Sequence, residues 1–385
     1  MTHITVVGGG FAGLVAAITC AEAGARVTLL EAHRTLGGRA RATRPPYVAH
    51  DGPHVLYRDG PWWRWLAARD LLGPYAGLSP RAVAGFRFRY GGRFRRTPPA
   101  VLLRVLADRR ATAPVDRSFS DWVRSRHGER AALAASGLMG VATFDAAPGR
   151  LSAAFVWPRL LRVFAPNPPA RYLTGGWNGL VDRLAAHARA RGVAIETGAR
   201  VTALPEPPVV VATTLDAAGP LIGTGLPHVE SGRTVLLDLA VRSRRGDAFA
   251  VSDLDAAGWL ERYTLPDPGL APPGESLVQA QMPIRDGESH AGARARLEVL
   301  ADRALPGWRD RVTWRRDGVA HRRTGALDLP GTTWRDRPAV PQGDGVFLAG
   351  DMVAAPGLLS EVSFHSAVAA AEGALAGARR RENRF

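Results

Sequence analysis

The chain has 385 residues, 46% of them hydrophobic, which is enough for two domains and a large core. Its 50 basic residues against 35 acidic ones leave a net charge of +15, and all 50 are arginines, because the sequence holds no lysine and so can form no Schiff base on a side-chain amine. The single cysteine, Cys20, excludes an intrachain disulfide and a CxxC redox pair. The arginines are dispersed rather than interleaved with aromatics, which argues against nucleic acid as a partner.

Residues 4–7 are a short apolar, β-branched run that predicts a buried strand. Gly8, Gly10 and Gly13 follow in GxGxxG spacing. Residues 12–23 have helical composition, with Leu14, Val15, Ile18 and Ala21 on one face, and Gly24 stops that helix. Residues 26–30 predict a second strand ending at Glu31, so the whole is a β-α-β unit of about 30 residues. Gly8 permits the tight turn, Gly10 lets backbone N–H groups approach a pyrophosphate, and Gly13 allows close helix–strand packing. The helix N-terminus at Phe11 and Ala12 offers donors and partial positive charge to phosphates. Glu31, followed by Ala32, stands where a carboxylate accepts hydrogen bonds from a ribose diol and repels a 2′-phosphate. Gly37-Gly38-Arg39 adds a second glycine turn, with an arginine able to reach the same pyrophosphate; NAD does not require it.

From GxGxxG through the acidic residue to GGR, the chain resembles the flavin amine oxidase and phytoene desaturase superfamily. The resemblance implies an α/β fold of the glutathione-reductase-like, amine oxidase type: a Rossmann-like FAD-binding domain with an interleaved α+β substrate domain. The FAD-binding domain is expected over 1–57, 171–230 and 322–385, and the substrate domain over 58–170 and 231–321. It further implies FAD as cofactor. The attachment is expected to be non-covalent, since no cysteine lies near the C-terminus. The lysine that many amine oxidases of this superfamily place near flavin N5 cannot exist here.

Further along, Asp51-Gly52-Pro53 is a turn. By the resemblance, Gly52, Pro53 and His54 lie along the isoalloxazine ring, and His54 and Tyr57 are candidate catalytic residues. Trp62, Trp63, Trp65, Leu66 and Leu71 suggest a helix. Phe86, Phe88 and Tyr90 alternate with Arg87 and Arg89, a strand turned back at Gly91-Gly92 into residues 93–95. Pro98-Pro99 opens a helix through Leu106, and another begins at Phe119 with Ser120 or Asp121 as its cap. Residues 131–141 and 151–164 are expected to be helical. Most aromatics of this segment are assigned to packing.

Residues 171–180, with their Tyr-Leu-x-Gly-Gly-Trp segment, resemble a bacterial phytoene dehydrogenase-like branch. They lead into a helix with Leu180, Val181, Leu184, Ala185 and Ala188 as its buried stripe. Strands are expected at 193–195 and 200–204, and the resemblance implies that Val201 pairs its backbone with the adenine. The three-stranded meander usual in the family is reduced to Pro205–Pro208 ahead of a strand at 209–213. Strands at 235–241 and 277–282 and a helix at 293–304 complete the second half of the substrate domain. Residues 223–228 lack the third glycine of a nucleotide fingerprint, so no second dinucleotide domain is expected.

Residues 345–351 are an apolar strand running into Gly350-Asp351, the form of the family's closing motif. Gly357 then opens a long helix expected over 358–378. The resemblance implies that Asp351 accepts hydrogen bonds from the ribityl hydroxyls. It also places the helix N-terminus, at Leu358 and Leu359, with its positive end toward the flavin N1–C2=O edge. Trp177, Glu361 and His365 are weaker candidates for a role near the ring.

The expected activity is oxidoreduction, as a dehydrogenase or desaturase. Hydride would pass from a largely apolar small molecule to flavin N5, and oxygen or a quinone would take the electrons. Two other readings stand beside it: a non-redox flavoenzyme (isomerase, cyclase or mutase), and a flavin-free binding protein like the Rab-escort and GDP-dissociation-inhibitor proteins. Glu31 and Asp351 count against the second of these. No metal site is expected. No charged leader region precedes the first strand and no apolar run reaches the length of a membrane span, so a cytoplasmic protein is expected. Residues 98–110 and Arg379-Arg380-Arg381 are basic, the former partly amphipathic, which leaves peripheral membrane contact open.

Overall fold

The N-terminal strand, His3–Val7, lies inside a six-stranded sheet in the computed structural model, which describes residues 2–322 and 324–382. The strand order is Pro341–Gly343, Val346–Leu348, Val209–Val211, His3–Val7, Arg26–Glu31, Ala194–Thr197. Every neighbouring pair is parallel except the antiparallel edge formed by Pro341–Gly343. Parallel sheets are covered on both faces, which is why Ile4 and Val6 are buried together with all of Val209–Val211.

The helix Phe11–Glu22 packs against the last helix, Glu361–Glu382, and against Gly176–Ala190. Small buried residues, Ala16 and Ala17 on one side and Ala367, Ala370, Ala371 and Ala374 on the other, let these helices approach closely. Cys20 is buried in this contact, and burial pushes its thiol up to about 12, so it acts as a small apolar group.

A second sheet has seven strands in the order Val312–His321, Arg233–Arg242, Glu275–Pro283, Gly258–Arg262, Ala250–Asp253, Phe86–Tyr90, Arg93–Arg95. Only Ala250–Asp253 with Phe86–Tyr90 is parallel. Strand alternation splits it into two faces. Val235, Leu237, Leu239, Val278, Ala280 and Met282 pack under the helix His290–Ala304. Asp238, Trp259, Glu261, Gln279 and Gln281 fall on the other face, and all are buried. The helices Ala100–Ala107, Phe119–His127, Glu129–Leu138 and Ala153–Val163 form a third layer around Phe119, Trp122, Phe155 and Leu160.

Four expectations are corrected. Residues 200–204 form no strand: Pro205, Pro207 and Pro208 supply no ladder donors, and Val201 and Leu204 instead rest on the core of the first sheet. The helix expected over 131–141 breaks into Glu129–Leu138 and Gly140–Thr143, where Gly137 and Gly140 lie against the backbone of Leu254 and Ala257; a Cβ on either would stand 2.0 Å from a carbonyl oxygen. The cap of Phe119–His127 is Ser118, whose Oγ accepts from the Asp121 N–H at 3.1 Å. The last helix starts at Glu361 rather than 358, because Leu359 has φ +57°, left-handed backbone that ends any run of helical dihedrals.

No helix among the described residues is long and apolar enough to cross a membrane. The side chains of Arg380 and Arg381, part of the basic tail, lie outside the described residues.

Candidate active site

At Gly8 (φ +107°) an added Cβ would lie 2.5 Å from the Ala212 carbonyl oxygen, and at Gly13 it would lie 1.8 Å from that of Gly8. Helix, turn and the neighbouring strand therefore touch backbone to backbone. Gly10 is different: its nearest neighbours would stand 4.0 Å from a Cβ, and they belong to Gly37 and Gly38. Gly37 donates its N–H to the Gly9 carbonyl at 2.8 Å, so the two glycine turns lie side by side. No side chain caps the first turn of Phe11–Glu22 and no acidic residue sits in it, which leaves its amide donors for an anion.

Glu31 is buried, and both carboxylate oxygens are held by backbone. Oε2 accepts from Gly9 N–H at 2.7 Å and Oε1 from His33 N–H at 2.8 Å. Each oxygen keeps a second lone pair for a diol. Ala32 follows in the loop between these partners.

Asp351 closes the arrangement from the other end of the sequence. The Arg39 guanidinium, half-buried, donates to its carboxylate. Glu31 is thus joined to Asp351 through Gly9, the second glycine turn and Arg39, the last link spanning the 312 positions between Arg39 and Asp351. Here Arg39 reaches Asp351. Gly350 precedes Asp351 and donates its N–H to Ser366 Oγ at 2.9 Å. Gly357 has φ +118° and lies against Glu361, whose Oε2 accepts from Leu358 N–H at 3.1 Å. Val201 packs on the first core.

A cavity of about 710 Å³ opens beside the junction. Phe11, Arg39, Gly52, Pro53, Tyr57, Asp351 and Leu359 line one part of it; Phe86, Phe88, Leu103, Phe155 and Tyr172 line another. Trp177 also lines it, whereas His365 bonds Pro356 at 2.8 Å and Glu361 pairs with Arg162 at 2.8 Å.

His54 does not line the cavity. Its ring stacks on Tyr263 at 3.8 Å, 4.1 Å from His50, and burial holds its imidazolium down to about 3. It packs behind the Gly52 turn, its Nδ1 3.4 Å from the Gly52 carbonyl. Its place on the wall is taken by His50, buried, whose Nε2 receives the Asn178 N–H at 3.3 Å. The proton then sits on Nδ1, which has no acceptor among the described residues. Burial, then His54 and Arg316, hold His50 well below the usual imidazole range. Tyr57 is buried under the Arg162 guanidinium, and burial raises its phenol.

Sequence reading missed the polar groups of the second sheet. Glu261 lines the cavity, fully desolvated, and accepts from Tyr172 OH at 2.5 Å and Trp259 Nε1–H at 3.0 Å. Burial raises its carboxyl, against these hydrogen bonds. Behind Asp51, Arg316 pairs with Asp51 at 3.2 Å and Asp238 at 2.6 Å. Arg159 and the ion pair Arg337–Asp328, at 2.6 Å, supply charge farther along the wall. A signal was available: Trp259-Leu260-Glu261 and Gln279-Ala280-Gln281 alternate within otherwise apolar strands, which places a polar row on one sheet face.

The free donors of the first helix, the room at Gly10, the fixed Glu31 carboxylate and the unpartnered His50 Nδ1 together fit a dinucleotide with a polar ring at its end.

Residues 6–69 match the family described as NAD(P)-binding Rossmann-like domain, and residues 89–219 match flavin containing amine oxidoreductase. A hydroxyneurosporene desaturase of Rhodobacter capsulatus is 50% identical over 56 residues, a stretch that takes in 14% of this chain and only 11% of the desaturase. Among solved structures, an oxidoreductase from Methanosarcina mazei superimposes with a TM-score of 0.77 at 16% identity, over 96% of this chain and all of that one. Cyclohexylamine oxidase from Brevibacterium oxydans gives 0.73 at 15% identity, over 99% of both chains. At such identities the likeness is one of fold.

Proposed function

We propose that the chain, which matches a Rossmann-like nucleotide-binding model over residues 6–69 and the flavin containing amine oxidoreductase model over residues 89–219, is a member of the flavin amine oxidase superfamily: an oxidoreductase with non-covalently held FAD that dehydrogenates a largely apolar small molecule. The observation that carries this reading is one continuous cavity touching both the Arg39–Asp351 junction and the aromatic wall of the second sheet. Bound FAD would supply a hydride acceptor for C–H cleavage.

The chain's own residues bind, exclude water and receive a proton. The first-helix donors and Glu31 would hold the pyrophosphate and ribose, and Asp351 the ribityl chain. Phe86, Phe88, Phe155 and Phe249 surround the substrate space with apolar surface. Three carboxylates line the cavity. Asp351 is tied to Arg39 and Asp51 to Arg316, so Glu261, with no cation partner among the described residues, is the group placed to take the proton lost beside the reacting carbon.

The short likeness to hydroxyneurosporene desaturase favours a C=C-forming reaction on an isoprenoid-like chain. Oxygen or a quinone would reoxidise the flavin. Val83 and Leu103 lie exposed on the cavity lining near Arg96 and Arg109, a mouth suited to taking an apolar substrate from an anionic membrane surface.

The test begins with the purified protein: a flavin absorption band, and FAD released into the supernatant by acid precipitation. Anaerobic mixing with hydroxylated or saturated isoprenoids should bleach the band, and oxygen or a quinone should restore it. A colourless protein that takes up no added FAD would defeat the proposal. Turnover without bleaching would replace it with a non-redox flavoenzyme.

A further inference from the structure

Arg159 lies on the helix Ala153–Val163, is 7% exposed and lines the cavity beside Phe155. It stacks 3.6 Å from the centroid of Phe155 and makes one hydrogen bond, from Nη1 to the Phe155 carbonyl at 2.6 Å. A guanidinium carries five donors, and the others find no acceptor among the described residues. The carboxylates nearest in electrostatic terms, Asp328 and Glu361, are occupied by Arg337 at 2.6 Å and Arg162 at 2.8 Å. Arg337, also buried, is therefore paired, and Arg159 is in no ion pair among the described residues.

A buried charge without a partner is costly, and a methionine or leucine would fill the space beside Phe155 without that cost. Its surroundings press the same way: burial first, then Arg337, pull its titration down to about 9. An anion in the cavity would supply the missing counter-charge and accept the remaining donors in a bidentate pair. Arg96 and Arg109, exposed on the same lining and in no ion pair among the described residues, add positive potential along the way in.

We infer that the substrate is amphipathic, an apolar body ending in one small oxyanion, a carboxylate in the simplest case, seated against Arg159. This rests on the reading of the cavity as the substrate site and narrows its chemistry.

The test compares dodecanoate, dodecanol and dodecylamine, each below its micelle concentration, on the purified full-length protein. Binding is read by emission of Trp177 and Trp259, which line the cavity, a readout that works with or without flavin. FAD content, measured on the same samples, judges the proposed oxidoreductase separately. Dodecanoate should bind at least about tenfold tighter than dodecanol, a difference typical of one charge-assisted hydrogen-bonded pair, and dodecylamine weakest. Arg159→Gln should erase that preference while leaving dodecanol affinity and FAD content unchanged, and Arg159→Lys should restore part of it. Equal affinities in the native protein would overturn the inference. So would an Arg159→Gln protein that loses FAD but keeps its preference, since the guanidinium would then serve the cofactor. Should Arg159→Gln not fold, the double variant Arg96→Gln/Arg109→Gln decides: a retained preference points inward to Arg159, and a lost one places it at the mouth and refutes the assignment.

Discussion

The glycine cradle of the first sheet and the polar wall of the second do their work by different means. In the cradle the working parts are backbone: Gly10, Gly13 and Gly37 matter for what they lack, and all act within about forty residues of one another in a contiguous stretch. On the wall the working parts are side chains brought from distant strands. Glu261 meets Tyr172 across 89 positions, and Gln279 bonds the His50 carbonyl at 2.5 Å across 229. The difference predicts how each region fails. Damage to the cradle should remove fold and cofactor together, whereas damage to the wall should change chemistry in a protein that still holds FAD.

Gly13→Val gives the largest expected effect. Its Cβ would begin 1.8 Å from the Gly8 oxygen, and overpacking of this kind costs about 3 kcal/mol or more. Urea unfolding should show that loss and absorbance should show no retained flavin; a stable variant with full flavin content would break the contrast at its strongest point.

Glu261→Gln tests the opposite region. It keeps shape and one acceptor oxygen, for Tyr172, but turns an amide NH2 toward the Trp259 Nε1–H and removes a base, so flavin reduction should slow by roughly a hundredfold with a stability loss of about 1–3 kcal/mol. Stopped-flow absorbance reads the rate; an unchanged rate would return Glu261 to a purely structural part.

Glu31→Ala strands the Gly9 and His33 N–H groups and deletes the ribose acceptor. A cost of about 2 kcal/mol is expected in FAD affinity, measured by fluorescence titration of the apoprotein. A variant binding FAD as the native protein does would remove Glu31 from the cradle.

The smallest effect separates His54 from catalysis. Its imidazole is held from 6.5 down to about 3. The unfolded chain therefore takes up a proton below pH 6.5 that the folded one refuses. The stability from keeping His54 neutral is complete above pH 6.5 and is lost as pH falls toward 3. At pH 5.5 the deficit relative to neutral pH is about 1.2 kcal/mol from this group, with His50 adding in the same direction. His54→Phe, which preserves the stack on Tyr263, should flatten the acid limb of denaturation curves. A large fall in flavin reduction in that variant would restore His54 as a catalytic candidate.

Much of the fold could be read because its signals are local. The strand His3–Val7, the glycines after it and the hairpin of Phe86–Tyr90 with Arg93–Arg95 each declare themselves within a window shorter than a helix. The misreadings share another origin. Residues 200–204 have strand-like composition, but a strand also needs a partner, and the prolines that follow send the chain elsewhere. Leu358 and Leu359 are good helix formers; the left-handed turn at Leu359 and the Glu361 carboxylate decide where that helix begins. His54 stood in the motif the resemblance picks out, yet only packing shows that His50 faces the cavity and His54 does not.

By itself the sequence determined the βαβ unit, the glycine cradle, Glu31 and the Gly350-Asp351 turn, since backbone conformation and phosphate approach depend on residues a few positions apart. Only the tertiary structure decided that Arg39 meets Asp351, and that among the described residues the desolvated Glu261 has no cation and the buried Arg159 no anion. Burial and counter-charge are properties of what surrounds a group in space, and neighbours hundreds of positions away are set by the packing of sheets and helices rather than by any pattern along the chain.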